Sequence, residues 1–150
     1  HETHRGHNAH DSETHMASNL NLGLKAGGTV PVLSFVKMSA DFTAVVCSAA
    51  TDKIIGISTQ ASRRVDDPGN AAIVGEELPT YGPGQIGWVV AGAAFSAGDI
   101  LTSDGNGAAI VMAAVNANQY QGARALQAAT AAGQIVKVLV WIDAIRNTVA

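Results

Sequence analysis

The chain has 150 residues, enough for one domain of ordinary size, and is 47% hydrophobic but only 14% charged. Average usage is about 25% charged, so the apolar content excludes a disordered tail, and the few charges leave an unusually neutral surface. Nine basic residues against twelve acidic ones leave a net charge of −3, which provides neither a basic footprint for nucleic acid nor a polybasic anchor for a membrane.

The first sixteen residues stand apart. They hold all five histidines (His1, His4, His7, His10 and His15), together with Glu2, Arg5, Asp11 and Glu13. The segment reads as a His-rich leader or tag joined to a start at Met16. The rival reading is a metal-binding arm, since imidazole is a good ligand for Zn or Ni, but Gly6 and Asn8 oppose the helix that would align the rings. Without this segment, eight basic residues face nine acidic ones. Over residues 17–28, Leu20, Leu22 and Leu24 alternate with Asn19, Asn21, Gly23 and Lys25 before Gly27-Gly28 breaks the pattern. The alternation predicts an extended N-terminal arm able to pair with a neighbour.

Residues 29–150 read as a single β domain. TVPVLSFVKMS (29–39) is rich in β-branched and aromatic residues, with Pro31 marking an edge or entry position. A turn at Ala40-Asp41-Phe42 leads to TAVVC (43–47), and a turn at Thr51-Asp52 leads to KIIGIST (53–59). ASRRVDDPGN (61–70) is a polar loop, AAIVGEEL (71–78) a strand, and PTYGPGQ (79–85) irregular. IGWVVAG (86–92) and the end of SAGDILTS (96–103) are strands. Asp104-Gly105-Asn106-Gly107 is a hairpin signal ahead of AAIVMAAV (108–115), which the flanking Gly107 and Asn116 tilt toward strand. GARALQAA (122–129) and QIVKVLVWI (134–142) close the chain, the latter with Lys137 as its one charge. About nine short, mostly antiparallel strands at regular spacing predict an all-β fold, a small β-barrel or β-sandwich.

Outside the leader there is no histidine, which removes the usual general base and the Ser-His-Asp and Cys-His constellations. Asp66-Asp67 and Glu76-Glu77 are adjacent acids, and neighbours on a strand point to opposite faces, so they suit solvated loops or rims rather than a shared site. Cys47, the single cysteine, excludes an internal disulfide and sits in an apolar run that favours an inert buried thiol. Val36-Lys37-Met38 partly resembles the Lys-Met pair of biotin- and lipoate-carrying domains, but Lys37 lies within a strand rather than at a hairpin tip. Trp88 and Trp141 fall in strands, where they suit core or subunit-interface anchors. No apolar run exceeds the eight residues of Ala108 to Val115, short of a membrane helix, and no secretory signal pattern is present. The expectation is a soluble, non-enzymatic protein made in a cytoplasm, with no cofactor, metal, nucleic acid or membrane partner.

AGDILTSDGNGAAIV (97–111) followed by GARALQAATAAGQIVKVLVW (122–141) resembles the C-terminal half of tailed-phage head decoration, or capsid cement, proteins. AGGTVPVLSFVKMS (26–39) and AATDKIIGIS (49–58) extend the likeness to the N-terminal half, while VNANQYQ (115–121) falls where related sequences vary. The resemblance implies a small β domain on the outer capsid surface of a virion, forming homotrimers and clamping the major capsid protein. It brings no catalytic residues. The expected capsid-contact arm is Asn19, Leu20, Asn21, Leu22 and Leu24, and the expected oligomer interface contains Trp88 and Trp141. The alternative is a carbohydrate- or surface-binding β module of a virion or fibre.

Overall fold

A computed structural model describes residues 22–59, 69–112 and 118–143. The described residues are all-β, with short strands and turns and no helix. The first half begins with β1 (Leu24–Ala26), β2 (Val30–Pro31), β3 (Phe35–Ala40), β4 (Thr43–Val46) and β5 (Ile54–Ser58). It continues with β6 (Asn70–Ala72), β7 (Glu77–Leu78) and β8 (Thr80–Tyr81). The second half contains β9 (Ile86–Val90), β10 (Ile100–Ser103), β11 (Ala109–Val111), β12 (Gln121–Ala125) and β13 (Ile135–Asp143).

The first sheet has the order β7-β1-β4-β3-β5-β8, and β2 pairs with β6 beside it. Its two outermost strands are almost one segment: only Pro79 separates β7 from β8. The sheet therefore curls until a single stretch of chain meets both of its edges. Proline suits this junction, because it has no N–H to offer a ladder. Leu24, Ala26, Val30, Val36, Ala44, Ala71, Ala72 and Leu78 pack together as its core.

The second sheet has the order β11-β10-β12-β13-β9, with antiparallel pairing throughout. A parallel bridge from Ala91 to Ala109 joins the end of β9 to β11 and closes the sheet toward a small barrel. Closure of this kind removes open edges. Val89, Leu101, Ala123, Val136, Val138 and Val140 fill its interior, and Phe35, Ile54 and Ile57 from the first sheet pack against them. Phe35 and Val36 are neighbours on β3, so strand alternation sends one side chain to each core. Close approach at this seam requires Gly122, where a Cβ would stand 2.5 Å from Phe35 Cε1.

Buried polar groups at the junction of β2, β3 and β5 are satisfied. The Ser34 N–H donates to Ser58 Oγ (3.0 Å), and the Ser58 hydroxyl donates to the Pro31 carbonyl (2.6 Å). Leu33 adopts φ 57° between β2 and β3, which splits the single strand expected over 29–39. It is held there by burial and by its N–H, which donates to the Ser58 carbonyl.

Other expected boundaries also shift. The strand expected over 71–78 breaks into β6 and β7 at a turn containing Gly75, whose φ is 85°. Part of the stretch expected to be irregular, 79–85, supplies β8. The hairpin at 104–107 forms as expected, joining β10 to β11. Of the arm expected over 17–28, Leu24–Ala26 is an interior strand. β1 pairs with β4 on one side and β7 on the other, so residues 24–26 have no open edge for strand addition to a partner. Residues 1–21, which include the expected leader, lie outside the described residues.

Candidate protein-interaction surface

The second sheet has a wet face built by simple alternation. Along β13, Val136, Val138 and Val140 point inward, while Ile135, Lys137, Leu139 and Trp141 point outward. Register extends this row sideways. Ile135 lies opposite Val90, Lys137 opposite Trp88, and Leu139 opposite Ile86. On the other side Leu139 faces Arg124, and Arg124 faces Ile100. Ile86, Leu139, Arg124 and Ile100 thus form one line across four strands. The Leu126 N–H bonds the Lys137 carbonyl, which continues the apolar row past the end of β12.

This face is exposed and apolar. Ile86, Ile135 and Trp141 are 54%, 54% and 53% accessible, and Trp88 and Leu126 are also exposed. Lys137 Nζ lies 5.9 Å from the Trp88 ring centroid, a cation–π distance that leaves the ammonium in water. Next to it, Gln121, Arg124, Leu139, Trp141 and Asp143 line an open depression of about 330 Å³. Contiguous apolar patches on monomers mark contact surfaces. The expected interface residues, Trp88 and Trp141, are both placed on this face.

A second apolar surface lies at the tip of the β3–β4 hairpin. Leu22, Leu24, Met38 and Phe42 line an open groove of about 810 Å³ with Ser39, Ala40 and Asp41. Phe42 projects with 74% of its surface exposed and adopts φ 55°. Sequence reading placed a turn here but gave no role to Phe42, and the signal was the phenylalanine itself, an unusual residue for the left-handed region. Of the expected contact arm, Leu22 is exposed on this groove. Leu24 is 6% accessible because its side chain belongs to the first core. Asn19, Leu20 and Asn21 lie outside the described residues. The two surfaces flank the Gly82–Gln85 turn: a Cβ at Gly82 would lie 3.4 Å from Leu22, and the Gly84 N–H donates to the Val140 carbonyl.

The described acids mostly hold turns. Glu76 Oε1 accepts from the Ile73 N–H, Asp99 Oδ2 from Ser96, and Asp104 Oδ1 from Asn106 and Ala108. Asp66 and Asp67 lie outside the described residues. Burial pushes the Cys47 thiol up to about 12, helped by the nearby Asp52 carboxylate, so it is a protonated core group. Among the described residues no group of three or more His, Cys, Asp or Glu side chains is arranged to hold a metal ion.

No protein-family model matches the chain, and no curated protein sequence matches it. Among solved structures it is similar to the N base of head fiber gp8.5 in bacteriophage phi29. Identity is 15% over 78% of this chain and 89% of that one, with a TM-score of 0.43. Likeness at this level assigns no function.

Proposed function

We propose that this chain is a capsid decoration protein that binds the outer surface of a tailed-phage head, contacts the major capsid protein and self-associates as a homotrimer. The observation that carries the reading is the exposed apolar face around Trp88 and Trp141, on a domain whose described carboxylates are largely committed to turns. The order of short motifs resembling capsid cement proteins supports it. Stabilisation follows from linkage: a protein that binds assembled shell and not separated subunits shifts the equilibrium toward shell, and many copies multiply a modest gain. No catalysis or cofactor is needed. Co-sedimentation with purified heads of the parent phage tests the reading. The protein should pellet with assembled heads, stay in solution with dissociated subunits, and raise the temperature at which heads disrupt. Heads that neither retain the protein nor gain stability overturn it.

A second reading draws on the same face. Two exposed indoles on one sheet could stack on sugars, as in a carbohydrate-binding module of a virion or fibre. A glycan array separates the two: selective glycan binding abolished by Trp88→Ala favours the module.

A further inference from the structure

We infer that the β3–β4 hairpin tip of one copy plugs the depression beside Trp141 on the next copy, with Phe42 as the inserted side chain. The inference deepens the proposed self-association and is independent of shell binding.

A ring with three-fold symmetry cannot be closed by one patch meeting itself. It needs two different patches that fit each other head to tail. The hairpin tip and the sheet face are two such patches on different sheets. Both border the Gly82–Gln85 turn.

The shapes correspond. Phe42 is the most exposed large apolar side chain among the described residues, and it is presented at a two-residue turn. A depression of about 330 Å³ has room for one aromatic ring, with Leu139 and Trp141 as apolar walls. Exposed phenylalanine in a left-handed backbone is doubly unfavourable for an isolated monomer, and strain of this kind concentrates at functional contacts.

The charges correspond as well. Exposed Asp41 precedes Phe42 in sequence, and exposed Lys25 adjoins it through its backbone N–H, which donates to the Phe42 carbonyl (2.8 Å). The depression offers Arg124 on β12. The acid beside the ring therefore meets a base beside the socket. Such pairing sets the register of the contact more than its strength.

Sedimentation velocity of the full chain, without shells, tests the inference. Wild type should sediment as a trimer, and Phe42→Asn should weaken association at least tenfold. Asparagine tolerates φ near 55°, so this variant keeps the turn while removing the ring. Asp41→Lys and Arg124→Glu should each weaken the trimer, and the two together should restore it. The charge exchange keeps the test decisive should the Phe42 variant misfold. A trimer indifferent to Phe42→Asn, or an exchange that restores nothing, overturns this inference alone. A wild type monomeric at every concentration overturns it together with the proposed trimer, while co-sedimentation with heads reports separately on shell binding.

Discussion

Lys37 on β3 and Asp52 in the turn before β5 form a 3.0 Å ion pair that fastens this turn to the strand. The same carboxylate oxygen accepts from the Ser48 and Ala49 N–H groups at 2.8 and 3.0 Å. Burial pulls Asp52 upward, but the Ser48 N–H, the Lys37 ammonium and the Ala49 N–H outweigh it and hold the carboxyl below its ordinary value.

Asp52→Asn should therefore destabilise the fold at neutral pH by about 1.5–3 kcal/mol, the range for hydrogen bonds to a charged group. A carboxyl with a lowered folded value contributes stability above its ordinary 3.8 and loses it as pH falls through the folded value. Urea titrations of both proteins should diverge at pH 7 and converge toward pH 2. Equal separation at both pH values would refute the assignment.

Cys47 has the opposite sign. Its folded value lies near 12 against an ordinary 9.0, so the neutral thiol is favoured by folding. Its contribution is complete below 9.0 and is lost as pH rises from there toward 12. Unfolding free energy should decline over that window in wild type and decline less in Cys47→Ala. At pH 8 a thiol reagent should react with unfolded protein and leave native protein unmodified.

Gly56→Ala probes the closure of the first sheet. A Cβ at Gly56 would strike the Tyr81 backbone carbonyl and Thr80 Cγ2. A carbonyl in a ladder cannot swing aside as a side chain tip can, so β8 must separate from β5. The expected cost is about 1–3 kcal/mol, as for other overpacked sites. Thermal unfolding with a drop of less than one degree would show that the edge is looser than its register implies.

The two exposed tryptophans should separate stability from assembly. Trp141→Ala should change monomer stability by less than about 0.5 kcal/mol, as for exposed sites generally. Trp88→Ala should cost about 0.5–1 kcal/mol through the lost Lys137 contact. Both should weaken association. Chemical denaturation of dilute protein beside sedimentation at high concentration checks the pair, and a core-sized loss from Trp141→Ala would place that ring in the fold instead.

Much of this architecture was legible as pattern. The alternation Val136, Val138, Val140 against Ile135, Lys137, Leu139 announces a half-buried strand, and β13 runs as that period predicts. The Asp-Gly-Asn-Gly hairpin was equally plain, because its residues suit positive φ, which Gly107 adopts. Leu24 shows the limit. Leucines two apart describe a strand with an apolar side, but they do not say what covers that side. Here β4 and β7 flank the strand and the first core takes the side chain.

Local chemistry therefore determined the class, the turns and which side of each long strand is greasy, because period and φ preference act over a few residues. Tertiary structure decided the partners. Contacts such as Pro79 joining two sheet edges, or Arg124 lining up with Leu139 and Ile86, bring together residues far apart along the chain. Pairing of that kind is selected by the total burial of both cores, a property no short window of sequence contains.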